Sequence, residues 1–431
     1  MARPQGFGAF RHRSFAFYWF SRVLAVFAIE MQVTTIGWQV YGLTGRALDL
    51  GLIGLAQFAP FAALFLVTGL VADRYSRVRI LAFCVIIQTA CAITLLWLTQ
   101  SATIAFGPIL GVLVLFGIAR AFQVPCLQSV VPNLVPNEVF ANAVAWVSTG
   151  NQISRIGGPT IAGILIAVAE AADAGLSPVY VTVTLMLFAA SILTFMIRPT
   201  GQKLNKDPMS LGMLVAGLHF IWTRQIIFAA VALDLFAVLF GGAVALLPIY
   251  AKDILDVGAE GFGILRSAFM VGAFTGALIL TQRPVARRAG FKLLASTGIF
   301  GLGVIIFGAS ETFWISLIAL AAMGVSDVVS VFIRHNLVQL ITPDDMRGRV
   351  GAVVGVFVGA SNELGEFESG VTAHWWGTVP AVIAGGAATL AVACAFTWAI
   401  PALRRIGSLD ADHLVRNYRK PHGRKAGNSS D

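Results

Sequence analysis

Gly69-Leu70-Val71-Ala72-Asp73-Arg74-Tyr75-Ser76-Arg77-Val78-Arg79-Ile80 separates two long apolar runs. Each run approaches the roughly 20 residues that a helix needs to cross a bilayer, so the charged stretch between them reads as a tight loop at a membrane face. Gly69 lets two helices approach closely. Asp73 can accept hydrogen bonds from helix N-terminal amides or pair with an arginine. Arg74, Arg77 and Arg79 would hold the loop in the cytoplasm, and the bland alternative is that they do nothing more.

The composition around this loop agrees with a membrane protein. Of 431 residues, 57% are apolar and only 12% charged, too little charged surface for a soluble domain. Arg3, Arg11, His12 and Arg13 precede a first apolar run that is too long for a cleavable signal, so this run is expected to stay as a span. Cys84, Cys91, Cys126 and Cys394 lie in apolar segments without metal or redox spacing and read as small buried hydrophobes. No metal or cofactor is expected. The net charge of +9 gathers in alternate loops, which points to membrane topology and not to nucleic acid.

Twelve spans follow, over approximately 15–41, 50–72, 80–98, 104–130, 139–168, 176–197, 225–250, 262–282, 291–309, 312–340, 349–373 and 378–400. Arg11 and Arg13, the 69–80 loop, Lys203 and Lys206, the Arg283, Arg287, Arg288 and Lys292 group, Arg347 and Arg349, and the tail from Arg404 to Lys425 all fall on one face. The opposite loops carry mainly Arg46 and Lys252 among several acids. Both termini are therefore expected in the cytoplasm. Residues 198–224 divide the chain, with Met209 to Arg224 reading as a short surface helix or as an extension of span 7. Pro136-Asn137-Glu138 and Pro343-Asp344-Asp345 recur at an offset of 207 residues, each between the fourth and fifth spans of its half. The expected organisation is a bundle over 1–197, a linker over 198–224, a second bundle over 225–400 and a basic tail over 401–431.

Charges inside the bilayer need a cavity or a partner, so they mark candidate functional residues. Glu30 lies midway along span 1 with Thr34 one turn on, and Asp234 lies in the equivalent span 7. Together they suggest an acidic pair on a shared cavity, with proton coupling as the candidate role and ion pairs that lock helices as the alternative. Arg120 and Gln123 share span 4; Arg120 either gates an acid or forms a static pair. Span 5 combines Asn151, Gln152 and Arg155 with Gly158, Pro159 and Gly163, residues of close packing and a kink. Arg155 meets a substrate anion, Glu30 or a structural partner. Asp327 and Arg334 read as a network holding spans 10 and 11. Glu363 is a cation contact, a second proton site or a structural bond to Arg334 or another helix, whereas Glu366 and Glu368 are expected near the outer water. Phe236 and Phe240 share a face of span 7 and could wall a substrate cavity.

The 69–80 loop, with serine where glycine is common, resembles the helix 2–3 loop of the major facilitator superfamily. Arg120-x-x-Gln123, with Val124 where glycine is usual, resembles a span 4 motif of that superfamily, and Gly158-Pro159-x-x-x-Gly163, with Ala162 for one glycine, resembles part of its span 5 antiporter motif. Phe7 to Trp19, the 69–80 loop, Pro136 to Ala143 and Asn362 to Glu366 are similar to the bacterial drug-antiporter branch that includes enterobactin exporters. The resemblance implies an all-α membrane protein of twelve transmembrane helices in two pseudo-symmetric six-helix bundles, in the bacterial inner membrane, working as a monomer. It implies alternating access, with Asp73 bonding at the start of span 11, protons as coupling ion, lipids around it and no enzyme chemistry. The expected function is proton-coupled export of a small amphipathic, drug-like or siderophore-like compound. The alternatives are uptake or facilitated movement of a nutrient or lipid-like solute, and a receptor or scaffold that transports nothing.

Overall fold

The computed structural model describes residues 6–101, 104–198, 211–283, 285, 287–343 and 346–409. The Lys203 and Lys206 linker, Asp344-Asp345, the tail from Arg416 to Lys425 and the side chain of Asp73 lie outside the described residues. The described residues form helices and no strand, as expected where lipid offers no partner to a free backbone amide or carbonyl.

The first six spans are α1 (Arg13–Thr44), α2 (Ala47–Arg74), α3 (Arg77–Gln100), α4 (Phe106–Val130), α5 (Asn137–Ala171) and α6 (Ser177–Phe195). The linker helix is α7 (Leu211–Thr223). It breaks from α8 (Gln225–Phe240) at Arg224, whose backbone is extended, and it packs on the start of the eleventh span, where a Cβ on Gly217 would meet the carbonyl of Arg349 at 2.7 Å. It is thus a separate helix and not a continuation of span 7. The remaining spans are α10 (Gly258–Gln282), α11 (Ala289–Ala309), α12 (Phe313–Ile341), α13 (Arg347–Trp376) and α14 (Thr378–Ala399).

Span 7 departs from the regular helix that its apolar run predicts. It stops at Gly241-Gly242, continues through a 3-10 turn and the short α9 (Leu247–Ile249), and ends in a π turn over Tyr250–Ile254. The glycines are needed for proximity: a Cβ on Gly242 would lie 2.3 Å from the carbonyl of Gly365 on α13. At the far end α15 (Pro401–Arg404) and the residues after it fold back onto α11, with Ala289 N–H donating to Gly407 O at 3.1 Å and Leu403 and Ile406 buried. Cys394 is exposed, unlike the three other cysteines, so it fills no core position.

Eleven described segments are long and apolar enough to cross a membrane. The twelfth, α13, has the length but carries Glu363, Glu366 and Glu368. Helices α1–α6 pack among themselves, as do α8 and α10–α14. The two groups meet where α2 lies along α13 and α5 along α10. Both seams depend on missing side chains: a Cβ on Gly370 would sit 2.7 Å from the Cα of Gly51, and one on Gly163 would sit 2.6 Å from the carbonyl of Ala259. Gly158 packs on α1 in the same way, and α5 runs unbroken through Pro159.

The bundle is shut at one end and open at the other. At the end where α1 turns into α2, Trp38 stacks on Phe262 at 5.7 Å and donates to Glu170 at 2.8 Å. Tyr41 donates to Asp253, and Lys252 lies over both aromatic rings. At the end bearing the 69–80 loop, α2 and α13 have separated. A Cβ on Gly348, Gly351 or Gly355 would touch nothing within 4 Å, and Val67 and Leu70 are exposed.

Candidate functional site: a charged central cavity

Between the two helix groups lies an open cavity of about 550 Å³. Charged and amide side chains reach it from seven helices: Arg22 and Glu30 from α1, Arg120 from α4, Asn151 and Arg155 from α5, Arg266 from α10, and Glu363 and Glu366 from α13, with Gln57 of α2, Gln88 of α3 and Gln123 of α4 beside them. Val26, Val33 and Phe116 supply apolar wall. The lining thus combines charged, amide and apolar surface.

Two ion pairs organise the charges. Arg120 Nη1 donates to Glu363 Oε1 at 2.8 Å, joining α4 to α13 and so one helix group to the other. Arg155 Nε lies 3.8 Å from Glu30 Oε1, a looser pair between α5 and α1. In both, the guanidinium faces the lumen more than its partner: Arg120 is 46% exposed against 13% for Glu363, and Arg155 55% against 21% for Glu30. One turn from Arg155, Asn151 accepts from Arg22 Nε at 2.9 Å, while Gln88 donates to Gln123 at 2.9 Å.

Other candidates stand elsewhere. Asp234 does not face the cavity with Glu30; it is buried against Arg334, linking α8 to α12. Arg334 therefore bonds neither Asp327 nor Glu363, and the network expected between spans 10 and 11 is instead a clamp between spans 7 and 10. Asp327 has no ion pair among the described residues and does not line the cavity. Thr34 is buried and donates back to the carbonyl of Glu30, the usual helical use of a threonine hydroxyl. Phe236 and Phe240 stack on each other outside the cavity lining. Glu366 lies in the cavity and not at outer water, because α2 covers its level of α13. In the gating loop, Arg77 Nη1 reaches the carbonyl of Ser129 at 3.2 Å, tying the loop to α4.

Arg22 and Arg266 line the cavity without having been among the residues expected to do so. The signal was present: each is a charge inside an apolar run, and Arg22, Val26 and Glu30 repeat at helical spacing along one face.

The sequence profile of the transmembrane secretion effector family matches residues 5–422. The chain belongs to that family. Among its relatives is the enterobactin exporter EntS of Shigella dysenteriae serotype 1, 24% identical over 347 residues that cover 79% of this chain and 81% of the relative. EntS of Escherichia coli O1:K1 / APEC is 25% identical over 348 residues, with the same coverage. Among solved structures, a bacterial homologue of the human lysosomal transporter Spinster, inward-facing and occupied, superposes with a TM-score of 0.70 at 16% identity, covering 96% of this chain and 99% of that one. A bacterial homologue of the iron transporter ferroportin, inward-facing, gives 0.70 at 14% identity over 90% and 99% of the two chains. The fold is thus that of the major facilitator superfamily. The member described here is a multi-spanning membrane transporter of a small solute, not an enzyme.

Proposed function

We propose that the protein is a proton-coupled antiporter that exports a small amphipathic compound from the bacterial cytoplasm by alternating access. The observation that carries this reading is the Arg120–Glu363 pair, which bridges the two helix groups inside the cavity. A carboxylate held by a guanidinium from the opposing group links protonation to shape, since a proton taken up beside the pair changes the charge around the guanidinium and with it the strength of the bridge. The loose Glu30–Arg155 pair adds a second charged contact in the same cavity. By the distribution of Lys and Arg among the loops, the open end faces the cytoplasm, so this state is the one that loads cargo. Export is favoured over uptake by the likeness to enterobactin exporters.

In this cycle residues 1–197 and 225–400 move as two monomer-contained units about the α2–α13 and α5–α10 seams. Closing the open end brings the 69–80 loop toward the start of α13, where Asp73 would meet the positive helix end. Opening the other end parts Tyr41 from Asp253 and Trp38 from Phe262. Asp234 and Arg334 act as a structural clamp within the second unit.

The test is lumenal pH in sealed proteoliposomes while a chemically diverse compound panel is added, with Glu30→Gln and Glu363→Gln beside the parent. The expected result is compound-dependent proton movement in the parent that Glu363→Gln abolishes and Glu30→Gln weakens. Labelled compounds crossing the parent membrane with no pH change would refute proton coupling.

A further inference from the structure

Resting on the antiport reading, we infer that Glu366 is the carboxyl that carries the proton, exchanging it with one side in this state and with the other once α2 and α13 part. Glu363 and Glu366 are three residues apart on α13 and so share a face. They meet different fates: Glu363 is bonded to Arg120, whereas Glu366 has no ion pair among the described residues. An unpaired carboxyl is free to bind and release a proton without first breaking a bridge.

Its position gives that freedom a direction. From the open end of α13 the order is the paired Glu363, then Glu366 at the closed end of the cavity, then Gly370 in the sealed seam against Gly51. The carboxyl of Glu366 lies against α2 at Gly54, where a Cβ would fall 2.9 Å from Oε2 and 3.2 Å from the Glu366 Cβ. The backbone carbonyl of Glu366 sits similarly against Gly51. The cavity reaches Glu366 from one side, and on the other it lies against the glycine seam of the closed end. Separation of α2 from α13 at Gly51 and Gly54 is the same movement that opens the closed end, so access for the proton and access for the cargo change together.

The charged and titratable groups around it are Glu363 on α13 itself, Arg120 on α4, Arg266 on α10 and Glu30 on α1; α2 offers the neutral Gln57. With guanidinium groups on two sides and carboxylates on two, the neighbourhood tolerates either charge state of Glu366. The gain or loss of its charge then perturbs Arg120, the group that holds the inter-unit bridge.

Infrared difference spectroscopy of the full chain in liposomes, stepped in pH with protons as the only added ligand, reads this directly through the C=O stretch of a protonated carboxyl. The band that appears on acidification is expected to disappear in Glu366→Gln and to persist in Glu30→Gln and Glu363→Gln. Glu366→Asp, which keeps the acid on a shorter stem, is expected to displace the band and keeps the question open to test should the glutamine variant misfold. A band unchanged by both Glu366 substitutions, or one lost only with Glu30 or Glu363, would overturn the assignment. The two readings fail separately. A parent that shows the Glu366 band yet moves no protons in vesicles loses the antiport reading alone; a parent that moves protons while Glu366→Gln keeps the band loses this assignment alone.

Discussion

Asp234→Ala is expected to lower the stability of the protein by about 3–5 kcal/mol, the cost of leaving a buried guanidinium without its counter-charge. Asp234 and Arg334 are 8% and 5% exposed, so neither can turn to water when the other is removed. The double variant Asp234→Leu/Arg334→Met, which replaces the pair by apolar side chains of similar bulk, is expected to recover most of the loss, because breaking a buried pair costs more than deleting it. Thermal unfolding of the purified variants in detergent measures both. A single variant that melts with the parent, or a double variant as weak as the single, would show that the pair does not clamp α8 to α12. The folded double variant is further expected to move protons as the parent does, since neither residue lines the cavity.

Trp38→Ala is expected to shift the balance of conformations toward the state open at the α1–α2 end. Trp38 is buried, stacked on Phe262 of the other helix group and flanked by the Tyr41–Asp253 bond. Its apolar burial and ring stacking across the seam are worth about 2–3 kcal/mol, which corresponds to roughly a 30- to 150-fold change in the ratio of states. Its bond to Glu170 stays within the first helix group and does not add to the difference. Pulsed electron spin resonance between labels at Leu43 and Glu260, exposed positions on α1 and α10, is expected to show a longer distance gaining population. An unchanged distance distribution would mean that the aromatic latch does not hold this end shut.

The spans were legible because the bilayer enforces one rule along the whole chain: apolar length in helical form, with charge set aside in the loops. The 69–80 loop and the basic residues that share its face carry the expected topology for the same reason. What the sequence hid were relations between distant segments. Asp234 and Arg334 are 100 residues apart, and no local pattern says that span 10 brings the arginine to span 7. Position along α13 alone put Glu366 near the outer water, whereas the structure places it in the cavity. That α2, through Gly51 and Gly54, covers this level of α13 is a property of packing. The break in span 7 was similarly silent, since Gly241-Gly242 in an apolar run reads equally as close packing. Arg155 beside Glu30 was readable as one option among three, and the structure supplies that contact.

The central claim is that the Arg120–Glu363 bridge biases the transporter toward the state open at the 69–80 loop. The most direct measurement is the distance distribution between spin labels at Leu70 and Gly351, exposed positions on α2 and α13 at that end, in the parent and in Glu363→Gln at one neutral pH. The account predicts that neutralising Glu363 transfers population to a shorter distance, the opening having closed as the bridge is lost. A Glu363→Gln distribution identical to the parent's, in a variant shown to be folded, would contradict it.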